Sequence, residues 1–523
     1  MDKKKSRFGF LLGICATLFA LPVTGEEAVY SELVRPGADG ELVYKPYTER
    51  GDVIPDFSHC GYGGGGVKLP HVAVKVALEP GDGSDDLVRI QAAIDSMTQL
   101  PLDADGFRGA VLLRKGTYNV GGTLEIRTGG IVLRGEGDSE SGTVLVATRR
   151  KRHDLIQVRG SGRWETIPET RQEIVDAYVP LGARRVTVAD GSVFRAGETV
   201  LVLRRGNAEW IHEIGMDRIK PRPRDPESTR QWRPFRLQFD RVVTGVSGNV
   251  ITVDAPITCA IDAQWGGGEV VKYVDRRIDR VGIEHMMGIS VFDSTKTRSR
   301  RGRTYFSDED HASNFVRFDN VTNAWVRNVT IRHFDHGYTL GRGAKWVTVQ
   351  ECAALEPVSI LRGSRRYPFH HTGQLNLFWK CKAVGARHAF VVGSRVPGPN
   401  VFLDCTAEEN YGSSEPHHRW SVGGLYDNVH ARIAIVDRQH YGTGHGWAGA
   451  NYVAWNCEGT LACESPPTAR NFAIGFVGRK VNGPFDGPDG YWESLGQHVN
   501  PRSLYLQQLE DRLGAEAVAN MTD

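Results

Sequence analysis

Histidine, arginine and tyrosine recur in the second half of this chain at spacings that would gather them on one face. His336, Glu356, His388, His418, His445 and Arg470 each stand two positions before a large apolar residue. If that residue points into a core, strand alternation places the ionisable group at the strand's entry. Two polar segments lie among them. Arg362 to Gln374 carries Arg365, Arg366, Tyr367, His370 and His371, and the stretch after Cys405 carries Glu408, Glu409, Tyr411, Glu415, His417, His418 and Arg419. Arg387, His388 and Arg395 fall between the two.

This set suits one kind of chemistry. The proton next to a sugar carboxylate is too weakly acidic to remove unless cations or N–H donors stabilise the enolate-like charge as it forms. A base must take that proton and an acid must help the leaving oxygen. Imidazole can serve as either, and guanidinium grips a carboxylate with two parallel hydrogen bonds. The residues expected to act directly are therefore His370, His371, His388, His418, Arg365 and Tyr411, with Tyr367 a second acid. Arg366, Arg387, Arg395, His336, Glu356, His417, Arg419, Trp420 and His445 are expected to bind an acidic polysaccharide. Trp379, Trp420 and Trp447 would be sugar platforms if exposed, and core residues otherwise. No cofactor or metal is required. Ca²⁺ is compatible with Asp308-Glu309-Asp310 and Asp486 to Asp489, although acidic runs like these usually form solvated surface.

Something must stack these groups. The chain has 523 residues, 61 of them glycine, and a formal charge of only +2, so bulk charge does not call for nucleic acid. Gly109 to Tyr118, Thr123 to Arg127 and Ile131 to Gly137 read as short strands punctuated by glycine, the pattern of a solenoid's coils. From about residue 311 the pattern returns. Phe334, Cys352, Cys381, Cys405 and Cys457 end similar segments and are expected to form one inward column. A buried thiol is content in such a column, whereas a metal site would need several thiolates converging on one point. Cys457 and Cys463 are the one pair near enough in sequence to suggest a disulfide.

The stretch GDGSDDLVRIQAAID, followed by LLRKGTYNVGGTLEIRTGGIVLRGEG, resembles the N-terminal region of the pectate-lyase-like superfamily, and PDFSHCGYGGGG before it is similar to a segment found there too. The resemblance covers residues 55 to 147. It implies an all-β fold: a single-stranded right-handed parallel β-helix with an N-terminal capping helix, a β-rich insertion and a C-terminal capping helix. It does not imply one chemistry, because lyases, hydrolases, transferases and viral tailspikes share the fold.

The expected organisation is an export signal over 1–25, an N-terminal cap and first coils over 26–165, an inserted β-rich subdomain over 166–270, the main coils over 271–499 and a capping helix over 500–523. Lys3, Lys4, Lys5 and Arg7 precede an apolar run from Phe8 to Leu21, which reads as a secretory signal and hence a secreted or periplasmic protein with no membrane span after its removal. Ile219 to Pro234 is rich in proline and arginine and belongs to the insertion, which would either wall a groove or mediate assembly. Helical spacing of Leu87, Ile90, Ile94 and Met97 predicts the first cap, with Ser84 or Asp85 at its N-terminus. Leu506, Leu509 and Leu513 predict the last, placed over the open end of the solenoid.

A polysaccharide lyase working by β-elimination is the function these residues favour. A glycoside hydrolase on the same fold would need two carboxyls across the scissile bond, with Glu356, Asp404, Glu408, Glu409 and Glu415 as candidates. A non-catalytic carbohydrate-binding β-helix, such as an adhesin, is the third reading.

Overall fold

A computed structural model describes residues 28–522, so the expected signal segment lies outside the described residues. The chain winds into a parallel β-helix, right-handed as crossovers between parallel strands are. One coil runs through Phe369–His371, Leu377–Trp379 and Lys382–Val384, and the next through Phe390–Val392, Asn400–Leu403 and Thr406–Glu408. Each strand pairs in parallel with its counterpart one coil on.

Alternation within the middle strand divides the packing. Phe378, Phe402, Tyr426, Ala454 and Ala473 lie level with one another and face the interior. Phe378 and Phe402 stack at 5.0 Å, and Phe402 and Tyr426 at 5.3 Å. Leu377, Val401, Leu425, Val453 and Phe472 face the other way, into a second cluster formed with the C-terminal helix Leu504–Leu513. That tail is helical as expected, and it lies along the flank of the solenoid. There the buried Asp427 carboxylate accepts hydrogen bonds from Ser503 Oγ at 2.7 Å and from the Tyr505 N–H at 2.8 Å. At the other end the helix Leu87–Met97 buries Ile90, Ile94 and Met97 on the first coils, and Asp85 accepts the Leu87 N–H at 3.0 Å.

One corner repeats down the solenoid. His285, Asn328, Glu351, Lys380, Asp404, Asn428, Asn456 and Gly475 all adopt left-handed backbone, with φ between 48° and 69°. A single left-handed residue turns the chain sharply between two strands, and Asn, Asp and Gly tolerate it best. The residue after each corner enters the core, giving the column Val329, Cys352, Cys381, Cys405, Val429, Cys457 and Phe476. Phe334 is thus not level with Cys352: the corner at Asn328 puts Val329 there. Val429 fills the coil between Cys405 and Cys457. All seven described cysteines are buried free thiols, so Cys457 and Cys463 do not pair.

An antiparallel sheet built from Trp164–Thr166, Gln172–Glu173, Arg185–Thr187, Thr199–Arg205, Arg236–Ser247, Val250–Val253 and Gly268–Asp275 interrupts the coils. Its core includes Trp210, Phe235 and Phe239, and also Trp420, Val422 and Trp447 from the solenoid, so the two parts share one apolar cluster. Trp210 and Trp420 meet edge to face at 5.0 Å. Trp232 Nε1 donates to the Gly444 carbonyl at 3.0 Å, and Trp447 Nε1 to that of Ile214 at 3.1 Å.

A buried ion cluster clamps the same junction. The Asp240 carboxylate accepts from Lys345 Nζ at 2.8 Å, Arg277 Nη1 at 2.7 Å and Tyr273 Oη at 2.6 Å. Burial opposes its ionisation, yet Arg277 and Lys345 hold its pKa well below the usual carboxylate range. D240N would leave Lys345 buried without an anion and Arg277 with Asp275 alone. It should lower unfolding free energy by about 3–5 kcal/mol, read as a fall in the urea midpoint at neutral pH.

Candidate active-site cleft

The outward face of one solenoid sheet carries the titratable groups. Tyr338, Phe369 and Phe390 are level and point inward, so His336, Tyr367 and His388 stand in one file at the strand entries. The Tyr367 ring lies 5.5 Å from His336, 5.9 Å from His370, 5.3 Å from His388 and 5.2 Å from His417. His417 continues to His418 at 5.3 Å and His445 at 5.1 Å, and the last two meet at 4.9 Å. Five successive coils and the loops beside them therefore meet in one histidine cluster.

Inside it runs a hydrogen-bond chain. His417 Nδ1 lies 2.7 Å from Glu415 Oε1, and His417 Nε2 lies 3.1 Å from Tyr367 Oη. Two tautomers fit: Nδ1–H donating to Glu415 leaves Nε2 to accept the phenol proton, whereas an Nδ1 that accepts from Arg438 makes Nε2–H the donor to Tyr367 Oη. Arg438 Nη1 reaches Glu415 Oε1 and His417 Nδ1, each at 2.7 Å, and Arg387 Nη1 donates to Tyr367 Oη at 3.1 Å. His388 Nδ1 sits 2.6 Å from the Ser413 carbonyl oxygen and 3.3 Å from Glu415. His388, Glu415 and His417 could together offer a cation three ligand atoms. The Arg438 guanidinium presses against two of those atoms, so the donor set fits a divalent ion poorly.

Burial keeps five of these imidazoles neutral. Desolvation lowers the histidine pKa values, to about 3 for His388, about 4 for His418 and about 2 for His445, with neighbouring cations adding to the effect for His418 and His445. His370 and His417 are pushed well below the ordinary value for the same first reason. Burial raises the Tyr367 hydroxyl above its ordinary value. Near neutral pH His370, His388, His417, His418 and His445 are thus uncharged imidazoles.

Beside His418 opens a cleft of about 670 Å³ between the solenoid and the inserted sheet. Seven arginines line it: Arg342, Arg395 and Arg419 on the coils, and Arg163, Arg230, Arg233 and Arg236 on the facing wall. No aspartate or glutamate is among its lining residues. Arg236 approaches Glu269 at 3.6 Å, while the other six have no carboxylate within 4.0 Å among the described residues. Desolvation first, and neighbouring arginines second, lower Arg395 and Arg419 and bring Arg163 to about 10. A second groove of about 370 Å³, lined by Asp154, Arg159, Arg317, Asp319 and others, shares Arg342 with the first.

Several expected roles do not fit these positions. His371 points into the solenoid core between Phe378 and Phe402, fully buried, with neither ring nitrogen bonded. Its parity is opposite to that of His370, so the pleat itself forbids a shared role. Arg365 is tied to Glu309 at 2.6 Å, and Arg366 spends its guanidinium on the carbonyls of Ser359 and Phe306. Both anchor the hairpin Thr297–Phe306 region rather than the cleft. Tyr411 packs toward Tyr305 and Arg366, away from the histidines. Glu356 pairs with His333 at 3.1 Å and stands outside the file, because Tyr367 occupies the place assigned to it. Arg470 precedes a strand of a different sheet. Trp379, Trp420 and Trp447 are buried and are not platforms.

The structure does bring His336, His370, His388, His417, His418 and His445 together, with Arg387 at the cluster and Arg395 and Arg419 in the cleft. The residues not singled out from sequence are Arg438, Arg342 and the arginines of the far wall. The arginine-rich run of 219 to 234 signals only Arg230 and Arg233 among them.

The buried His371 yields a sharp test. Burial lowers its pKa to about 3. Above the unfolded value near 6.5 neither state binds a proton there; as pH falls below it only the unfolded chain does, and stability drops by about 1.4 kcal/mol per pH unit. H371F should keep the core filled, leave activity intact and remove about 2 kcal/mol of the stability loss between pH 7.5 and 5. Urea midpoints at the two pH values check it.

No family model matches this chain, and no curated protein matches it. Among solved structures it is similar to the Gp54 tailspike of Acinetobacter baumannii bacteriophage AP22 in complex with capsular saccharide, at 11% identity and a TM-score of 0.43, over 76% of this chain and 55% of that one. It is also similar to the tailspike of E. coli bacteriophage HK620 in complex with pentasaccharide, at 10% identity and a TM-score of 0.40, over 90% of this chain and 64% of that one. The catalytic domain of a GH87 alpha-1,3-glucanase in complex with nigerose gives 10% identity and a TM-score of 0.37, over 82% of this chain and 66% of that one. The chain spans less than two thirds of the length of each. Values this low say nothing about the site, and its reading rests on its own geometry.

Proposed function

We propose that the protein is an exported polysaccharide lyase that cleaves an acidic, uronate-containing polymer by β-elimination in the arginine-lined cleft. The observation that carries this reading is a cleft with seven arginines and no lining carboxylate, opening beside an uncharged His418. Desolvated cations without partners call for an anionic ligand. Arg342, Arg395 and Arg419 would hold the sugar carboxylate and stabilise the charge that develops on it. His418 Nε2 takes the proton from the carbon beside the carboxylate. The released electron pair forms the C=C bond as the C–O bond to the next sugar breaks, and the departing oxygen takes a proton from solvent. A bound carboxylate would raise the proton affinity of His418 from its low resting value. Glu415, His417 and Tyr367 act one step back, fixing the imidazoles beside it.

Hydrolysis draws on a different place. Asp154 and Asp319 line the adjoining groove, although Asp319 is held by Arg317 at 2.6 Å. Digestion of a panel of uronate polymers separates the two readings. Ultraviolet absorbance from a conjugated unsaturated uronate, growing in step with reducing ends and unaffected by EDTA, is the result expected. Reducing ends without that absorbance would favour hydrolysis, and binding without cleavage of any polymer would favour an adhesin.

A further inference from the structure

A second cavity, of about 310 Å³, lies where the N-terminal segment, the inserted sheet and the solenoid meet. Tyr47, Tyr178 and Trp265 supply aromatic surface, and Arg204 supplies charge. The acids there and Arg50 are already engaged. Asp262 accepts from Arg50 at 2.6 Å, and Asp52 accepts from Tyr178 Oη at 2.8 Å and from the Leu181 N–H at 2.8 Å. Arg470 sits on the rim, over the Tyr47 ring at 5.3 Å.

Arg204 differs from them. It is 3% exposed, its guanidinium stacks on Trp210 at 3.7 Å, and no carboxylate lies within 4.0 Å of it among the described residues. Its Nε and Nη1 have no hydrogen-bond partner, and Trp420 Nε1 faces only the weak acceptor Cys259 Sγ. A buried, unpaired guanidinium is a costly arrangement unless something anionic completes it. Arg204 lines a monosaccharide-sized cavity walled by rings, the surface on which a sugar or similar ring packs.

We infer that this cavity is a binding site for a small organic carboxylate of monosaccharide size, its carboxylate on Arg204 and its ring among Trp265, Tyr47 and Tyr178. The site is separate from the cleft and does not depend on the reaction proposed there.

The test uses the full chain in a thermal-shift titration with D-glucuronate, D-glucose and sodium sulfate. To silence the cleft, R395Q/R419Q is titrated beside the wild type, and R204M is the site variant, since a methionine keeps the contact with Trp210. D-glucuronate should raise the melting temperature of the wild type and of R395Q/R419Q saturably, with glucose without effect. R204M should melt higher than wild type in the absence of ligand, having lost an unpaired buried charge, and should show no glucuronate shift. An equal response from R204M would overturn the site, as would equal protection by glucose or no glucuronate shift in R395Q/R419Q. Protection by sulfate but not glucuronate would show an inorganic-anion site and sink the organic-acid assignment.

Discussion

H418Q should lower kcat on the preferred uronate polymer by about 10²–10⁴-fold while KM changes little. His418 is the cluster imidazole that lines the cleft, its Nδ1 is buried without a partner, and its other nitrogen is left to meet a ligand. Glutamine keeps polarity and bulk but cannot hold a proton. If the imidazole only filled space, the variant would retain wild-type turnover. The pH profile gives a second reading of the same group. A base whose resting pKa is about 4 is already free at neutral pH, so kcat/KM should hold across pH 6–8 and fall only as the solution approaches that value. An acid limb centred near 6.5 would instead point to an ordinary exposed histidine.

R395Q/R419Q should act on binding and on the barrier together. A hydrogen bond to a charged group is worth about 1.5–3 kcal/mol, so losing two should reduce kcat/KM by about 10²–10⁴-fold. The variant should also show a flatter dependence on salt, because two of the cations that attract the polymer are gone. Neither side chain has a carboxylate partner to strand, and Arg419 loses only its bonds to Thr443 O at 3.0 Å and Oγ1 at 2.6 Å. The fold should therefore survive, and unchanged urea midpoints separate a binding defect from a structural one.

The solenoid was legible because its signals are local and repeated. Short strands, glycine punctuation and recurring cysteines each report one coil, and many coils say the same thing. Register was harder. Aligning Phe334 with Cys352 overlooked the corner before each core residue, and that corner is filled by residues as unlike as His285, Glu351 and Lys380. Backbone conformation sets the position, so residue type marks it only where Asn, Asp or Gly happens to stand. The histidine file was read nearly in place because His336, His388 and His418 precede core aromatics or Trp. Tyr367 escaped it because its own strand, Phe369–His371, sits inside the polar segment 362–374, whose Gly, Ser and Pro hide the strand pattern. The far wall of the cleft was out of reach. Arg230 and Arg419 are neighbours only after the inserted sheet folds back on the coils, and no spacing along the chain encodes that contact.

The left-handed corners also separate what evolution can change from what it must keep. Each coil is brought back into line by its own bend and by the pairing beside it, whatever length of chain wanders outside. Loops such as 362–368 or 409–414 can therefore grow, shrink or be exchanged for others while the scaffold above and below stays put. New specificities can be tried at the rim one segment at a time, and the lineage of such a protein would be expected to diverge fastest there.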